Sequence, residues 1–162
     1  MGIEEIERVK EAFSKLNLHP TYLKHKAVIT SEDAANTRGF ELRQGIKAII
    51  ITNGKDNWAV VDIPADQKVD LKKVATQLAW SKSSIRFATS EEVLGRTGCE
   101  IGAVPPFGHK NKIQILVDKG VYDNKESTFN IGLRTNSVKI LTEEMKIVFA
   151  KEDVVEGDFI KI

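Results

Sequence analysis

Residues 46–63 read IKAIIITNGKDNWAVVDI, and this stretch decides the fold. Its two ends are rich in branched aliphatic residues, which favour strands, and Asn53-Gly54 between them is a pair typical of tight hairpin turns. The stretch therefore predicts two antiparallel strands joined by a short connection. A hairpin at this place favours an antiparallel or mixed sheet over a regular βαβ repeat.

The rest of the chain alternates predicted helices and strands without a regular repeat. Apolar residues at helical spacing predict a first helix over residues 3–16, and capping residues predict others that begin near Thr30, Asp70, Thr89 and Thr142. Runs of branched residues predict further strands at 27–29, 113–118, 129–132, 137–140 and 159–162. We expect a single compact α/β domain over residues 1–162, with a mixed, mainly antiparallel, barrel-like sheet surrounded by helices.

Composition restricts the possible classes of protein. The 162 residues carry 24 Lys and Arg against 23 Asp and Glu, so no field is strong enough for bulk, sequence-independent binding of nucleic acid. The one cysteine excludes an internal disulfide, and the acidic start MGIEEIE lacks the basic and apolar segments of a signal peptide. We expect a cytoplasmic protein without membrane attachment, in which any nucleic-acid partner contacts a local surface.

The segment most typical of a functional site is GCEIGAVPPFGH at residues 98–109, called the 98–109 loop below. Its three glycines permit positive φ angles, and its two adjacent prolines fix their own φ and restrict the residues before them. A loop shaped in this way presents backbone N–H groups that can bind a phosphate or a carbonyl oxygen. A tight surface turn has the same composition, so both interpretations stay open at this point.

Two charged residues occupy apolar strands. Lys47 lies among aliphatic neighbours, where a cation must reach solvent, pair with an acid or line a cavity; a pocket and a solvent-exposed position are equally compatible with the pattern. Asp118 ends an apolar run and is either a carboxylate of a site or the first residue of the turn Asp-Lys-Gly. The turn is slightly favoured.

No motif of a familiar catalytic or metal centre is present. The chain has no Gly-x-Ser-x-Gly elbow, no Walker loop and no dinucleotide fingerprint. Its histidines, His19, His25 and His109, lack metal-ligand spacing, so we expect no metal and no cofactor. Cys99 lies within the 98–109 loop, but a cysteine nucleophile needs a partner base that the sequence does not reveal.

A series of short motifs, in a consistent order over roughly residues 20–145, resembles the YbaK/ProX family. This is the family of the editing domain inserted in bacterial prolyl-tRNA synthetases and of its freestanding relatives. The Gly-x-x-x-Pro spacing from Gly102 to Pro106 is the most specific part. The motifs are KHKAVITSEDAANTRG at 24–39, GIKA at 45–48, VDLKK at 69–73, FATSEE at 87–92, TGCEIGAVPPFG at 97–108, VD at 117–118 and FNIG at 129–132.

The resemblance implies a freestanding aminoacyl-tRNA deacylase, which hydrolyses the ester between a wrong amino acid and the terminal adenosine of a tRNA. It implies that Lys47 lines the pocket, and that backbone N–H groups of Gly102, Ala103 and Val104 lie at the reacting ester. The proton acceptor is then a ribose hydroxyl of the substrate, and Ala48 offers no side-chain group for substrate choice. The residues expected to contact the substrate are Thr30, Pro105, Pro106, Phe107, His109, Asp118 and Gly132.

The alternative function is a non-catalytic module with the same pocket, which binds tRNA ends, a nucleotide or a small ligand. For the enzyme, the expected partner is the acceptor end of a mischarged tRNA. The near-neutral charge predicts that only this end is gripped, or that an aminoacyl-tRNA synthetase helps to deliver the tRNA.

Overall fold

The hairpin predicted from residues 46–63 lies at the centre of a five-stranded sheet. In the computed structural model, which describes residues 2–27 and 41–162, strands β2 (Ile46–Thr52) and β3 (Trp58–Pro64) pair antiparallel. Strand β4 (Arg86–Phe87) pairs antiparallel with the end of β2. Strands β5 (Gln114–Asp118) and β8 (Val155–Gly157) extend the sheet beyond β3 in parallel, which gives the order β4-β2-β3-β5-β8.

A second, antiparallel sheet contains β1 (Thr21–Lys24), β6 (Glu126–Asn130) and β7 (Asn136–Leu141) in the order β1-β7-β6. An isolated parallel bridge between Gly45 and Thr128 joins it to the start of β2. The mixed, mainly antiparallel pairing is therefore confirmed. The strands of the described ranges form two sheets and not a closed barrel, because a single bridge connects β2 to β6 at that edge.

The helices predicted from apolar spacing and from capping residues are present where the structure describes them. They are α1 (Ile3–Lys15), α2 (Leu71–Leu78), α3 (Ser90–Thr97) and α4 (Thr142–Lys151). The Asp70 side chain accepts from the N–H groups of Lys72 and Lys73, and Thr89 and Glu92 form a reciprocal capping box. The helix predicted from Thr30, and most of the strand before it, lie outside the described residues.

Short strands were the least predictable elements. The strand predicted at 159–162 is wrong: the last strand is β8, and Ile160 forms only an isolated bridge with Val69. Strands β1 and β4 carry no apolar run, and most of their residues are exposed. Their extended conformation depends on the partner strand, which a local pattern does not contain.

Two apolar layers pack on opposite faces of the five-stranded sheet. One layer joins it to the second sheet, α1 and α4, and contains Phe13, Phe129 and Phe149. The other packs it against α2 and contains Val74 and Phe159. Side chains alternate along β2, so Ile46, Ala48 and Ile50 face the first layer while Ile49 and Ile51 face the second. The Cβ of Lys47 therefore leaves β2 on the α2 side.

Candidate active site

Three side chains hold the 98–109 loop by its carbonyl oxygens. Arg134 donates to Ile101 from Nη2 at 2.8 Å and from Nε at 3.2 Å. His109 Nε2 donates to Pro105 at 2.7 Å, and Arg8 Nε donates to Gly108 at 3.1 Å. Because these carbonyls are fixed by protein donors, the loop has a defined backbone shape, as its glycines and prolines predict.

A four-residue turn opens the loop at Glu100–Ala103. The Ala103 N–H donates to the Glu100 carbonyl at 2.9 Å, and Gly102 has a φ of +85°, as the third residue of a type II turn requires. Gly102 is exposed, whereas Ala103 and Val104 are buried. The turn therefore occupies one of the three predicted N–H donors, while those of Gly102 and Val104 make no hydrogen bond among the described residues.

The side chains after Gly102 point into the protein. Pro105 and Pro106 are buried, and Phe107 contacts Phe13 and Phe129 edge-to-face, with ring centroids 5.3 and 6.3 Å away. These apolar anchors place the loop firmly on the first layer. Contact of Pro105, Pro106 and Phe107 with a substrate stays a prediction.

His109 and Cys99 are both held in their uncharged forms. Burial lowers the pKa of His109 to about 4, against an opposing effect of its hydrogen bond to Pro105. Since Nε2 donates that bond, Nδ1 of the neutral ring is left as an acceptor. Burial, with a smaller contribution from the Glu5 carboxylate, raises the pKa of Cys99 to about 12. The Cys99 thiol is therefore unsuited to act as a nucleophile.

Lys47 is a half-buried cation near the start of β2. Burial lowers its pKa, Asp66 raises it and Lys68 lowers it. β4 covers β2 only at Ile51 and Thr52, so the part of β2 that carries Lys47 has no strand of its own sheet on that side within the described ranges. Among the described residues, the lysine thus stands at an unpaired stretch of the β2 edge, between the bridge at Gly45 and the pairing at Ile51, and its side chain is on the α2 side. The apolar residues of the 98–109 loop belong to the other layer, and the convergence of Lys47 with Gly102 stays a prediction.

Two further predicted residues have structural partners. Asp118 accepts from the N–H of Gly120 at 2.9 Å and of Phe159 at 2.8 Å, as the turn interpretation predicts. Gly132 lies against the start of α1, where an added Cβ would be 2.6 Å from the Gly2 carbonyl oxygen. Contact of Asp118 or Gly132 with a substrate stays a prediction, and Thr30 lies outside the described residues.

Sequence reasoning missed two polar groups near these elements. Asp62, in the middle of β3, is fully buried, and neither carboxylate oxygen has a hydrogen-bond partner among the described residues. It pairs across the sheet with Ala48 and Val117, and burial raises its pKa well above the usual range. The sequence does carry a signal for Asp62, because an acidic residue between Val61 and Ile63 is a charged residue in an apolar strand, as Lys47 is. Arg134 carried no such signal, because it lies in an ordinary connection between two strands.

No group of three or more His, Cys, Asp or Glu side chains within residues 2–27 and 41–162 is arranged to hold a metal ion. The helices of these same ranges include none that could cross a membrane.

The fold is a mixed α/β domain, and the site predicted for it combines backbone groups of the 98–109 loop with Lys47. A family model described as the aminoacyl-tRNA editing domain matches residues 25–147. The chain belongs to this family, which confirms the resemblance read from its motifs.

Individual relatives agree with this membership. The chain is 32% identical over 124 residues to the multifunctional Ser/Thr-tRNA deacylase ProXp-y of Escherichia coli (strain K12), covering 74% of this chain and 73% of that protein. It is 27% identical over 92 residues to a proline–tRNA ligase of Trichlorobacter lovleyi, covering 57% of this chain and 16% of the ligase. A crystal structure provisionally assigned as a trans-editing enzyme for prolyl-tRNA synthetase superposes with a TM-score of 0.82 at 22% identity, over 98% of both chains. That last likeness establishes the fold.

Proposed function

We propose that this protein is an aminoacyl-tRNA deacylase that acts in trans on mischarged tRNA. Family membership and the 32% identity to a Ser/Thr-tRNA deacylase support this class of reaction. The observation that carries the proposal is the turn at Glu100–Ala103, which exposes Gly102. The loop around this turn is fixed, because the side chains of Arg134 and His109 donate hydrogen bonds to its carbonyl oxygens.

The proposed reaction is hydrolysis of the ester that links the amino acid to the terminal ribose. Water attacks the ester carbonyl, and negative charge develops on its oxygen. N–H groups of the 98–109 loop stabilise this charge; loss of one such donor typically costs about 3 kcal/mol, or a hundred-fold in rate. The bond between the carbonyl carbon and the ribose oxygen then breaks, and the proton lost by water reaches that oxygen through a neighbouring ribose hydroxyl.

This mechanism needs no nucleophilic side chain, in keeping with the chemistry of the loop. Cys99 is held as a thiol, and the imidazole of His109 is a weak base with a pKa of about 4. In this mechanism Lys47 binds the tRNA end or the substrate carbonyl. A half-buried ammonium interacts more strongly with an anion than an exposed one, because less water screens it.

The test is release of amino acid from a panel of purified mischarged tRNAs. The panel contains Ala and Cys on tRNA for proline, and Ser and Thr on non-cognate tRNAs, with correctly charged tRNA as a reference. We expect at least one mischarged ester to be hydrolysed at catalytic protein concentrations. Binding without hydrolysis of any ester would contradict the proposal and favour a non-catalytic module.

A glycine pair provides the matched control for the loop. Gly102→Val introduces a branched side chain at a φ of +85° beside the proposed ester position, and we expect the rate to fall at least ten-fold. Gly95→Val places the same side chain on α3, where an added Cβ meets nothing within 4 Å. Equal rates in the two variants would show that the 98–109 loop is only a turn.

A further inference from the structure

Arg134 connects the β6–β7 turn to the residues that precede Gly102. Its Nη2 and Nε donate to the Ile101 carbonyl oxygen at 2.8 and 3.2 Å, and its Nη1 pairs with Glu100 Oε2 at 2.9 Å. All three guanidinium nitrogens therefore contact two consecutive residues of the 98–109 loop. The Arg134 side chain is 26% exposed and its partner Glu100 is 45% exposed, so these contacts lie at the surface and are only partly shielded from water.

The atom that Arg134 fixes controls the direction of a predicted catalytic group. The Ile101 carbonyl and the Gly102 N–H belong to one peptide unit, which is planar and trans, so that they point in opposite directions. When Arg134 holds the carbonyl on its own side, the Gly102 N–H must point away from Arg134.

This peptide unit is the one that can take two orientations in a turn. Type I and type II turns share the hydrogen bond from the fourth N–H to the first carbonyl, and they differ by a rotation of about 180° of the central peptide. The bond from Ala103 to Glu100 is compatible with both turns and does not select one. The φ of +85° at Gly102 belongs to type II, the orientation in which Arg134 reaches the Ile101 oxygen.

We propose that Arg134 is a positioning residue that selects this orientation and so directs the Gly102 N–H toward the reacting ester. The inference rests on the proposed deacylase function. Arginine suits the task because its planar, rigid fork of donors binds one oxygen twice and pairs with Glu100 at the same time. A lysine in its place keeps the charge but supplies a single flexible donor group.

The test compares single-turnover hydrolysis by the wild type, Arg134→Ala, Arg134→Lys and a matched control, Arg86→Ala. Arg86 forms a similar two-point pair with Glu92, and its hydrogen bonds within the described residues go to Phe87 and Glu92 and not to the loop. We expect Arg134→Ala to lower the maximal rate at least ten-fold with an apparent KM within about three-fold of the wild type, Arg134→Lys to be intermediate, and Arg86→Ala to match the wild type. Addition of millimolar methylguanidinium should restore part of the rate of Arg134→Ala.

Other outcomes would overturn the inference. A maximal rate of Arg134→Ala within two-fold of an active wild type shows that the turn keeps its orientation without Arg134, while the deacylase function stands. An increase in KM alone shows that Arg134 binds tRNA and does not position the loop. If Arg134→Ala unfolds, the folded Arg134→Lys variant decides the question, since a rate equal to the wild type contradicts the need for a two-point donor.

A direct structural measurement separates this inference from the proposed function. In a crystal structure of a folded Arg134 variant, we expect the peptide between Ile101 and Gly102 to rotate and the φ of Gly102 to become negative, whether or not any ester is hydrolysed. Retention of a φ near the present +85° would overturn the inference. An inactive wild type whose variant shows the rotation would contradict the proposed function alone.

Discussion

Replacement of Asp62 by valine should make the protein more stable, although it removes a polar residue from the centre of a sheet. Asp62 is 0% exposed, and neither carboxylate oxygen accepts a hydrogen bond within the part of the chain that the structure describes. A buried polar group without a partner costs about 1–3 kcal/mol, and valine removes this cost because its side chain has no polar atom. For a domain of this size, 1 kcal/mol corresponds to about 2–4 °C in Tm, so we expect a gain of about 2–12 °C.

The sign of the pH dependence follows from the raised pKa of Asp62. The folded protein keeps a proton on this carboxyl over a pH range in which the unfolded chain, with a pKa of about 3.9, has lost it. The folded state then binds more protons, so the contribution of Asp62 to stability falls as the pH rises above about 4. The advantage of Asp62→Val over the wild type should therefore grow from pH 4 to pH 8.

The assay is thermal unfolding by circular dichroism at several pH values, with Asp62→Asn as the matched variant. Asparagine removes the titrating proton but leaves a buried polar group. The difference in Tm between Asp62→Val and Asp62→Asn should therefore not depend on pH, and Asp62→Asn should recover only part of the stability. A Tm of Asp62→Val that lies below the wild type at pH 8, or a difference that is the same at pH 4 and pH 8, would refute this reasoning.

Three further expectations concern the loop and its supports. Cys99→Ser should keep the wild-type deacylation rate, and Cys99 in the native protein should react with iodoacetamide far more slowly at pH 8 than a free thiol, because its pKa is about 12; fast alkylation would contradict its buried state. Gly132→Ala should lower the free energy of unfolding by about 1–3 kcal/mol in urea titrations, since Gly132 has a φ of +131° and an added Cβ meets the Gly2 carbonyl. An unchanged urea midpoint would show that α1 can shift to make room for the added Cβ. Because the pKa of His109 is lowered to about 4, its contribution to the free energy of unfolding falls by up to about 3 kcal/mol as the pH drops from about 6.5 to 4. His109→Gln should remove this part of the pH dependence of stability. An identical pH profile of stability in the variant and the wild type would contradict the lowered pKa of His109.

The sequence predicted the elements whose signals are local. Hairpin β2–β3 follows from branched runs around Asn53-Gly54, and α2 and α3 follow from the capping residues Asp70 and Thr89. β1 and β4 escaped prediction because their conformation depends on partner strands distant in sequence.

The candidate site likewise has one part that the sequence predicted and another that it did not. Glycines and prolines between residues 98 and 109 indicated a shaped loop, since their backbone preferences are intrinsic. The groups that hold this loop in place were not predictable: Arg8 and Arg134 come from distant parts of the chain, and only the folded structure shows that they reach Gly108 and Ile101. The use of the Ala103 N–H within a turn is likewise a property of the folded backbone.

The central claim is that Lys47 and a backbone-built loop hydrolyse the ester of mischarged tRNA. The most direct measurement is the single-turnover rate of amino acid release by the wild type, by Lys47→Ala and by Lys15→Ala, whose lysine pairs with Glu11 on the exposed surface of α1. We predict hydrolysis by the wild type and Lys15→Ala, and at least a hundred-fold slower release by a folded Lys47→Ala. Equal rates in Lys47→Ala and the wild type would contradict the account.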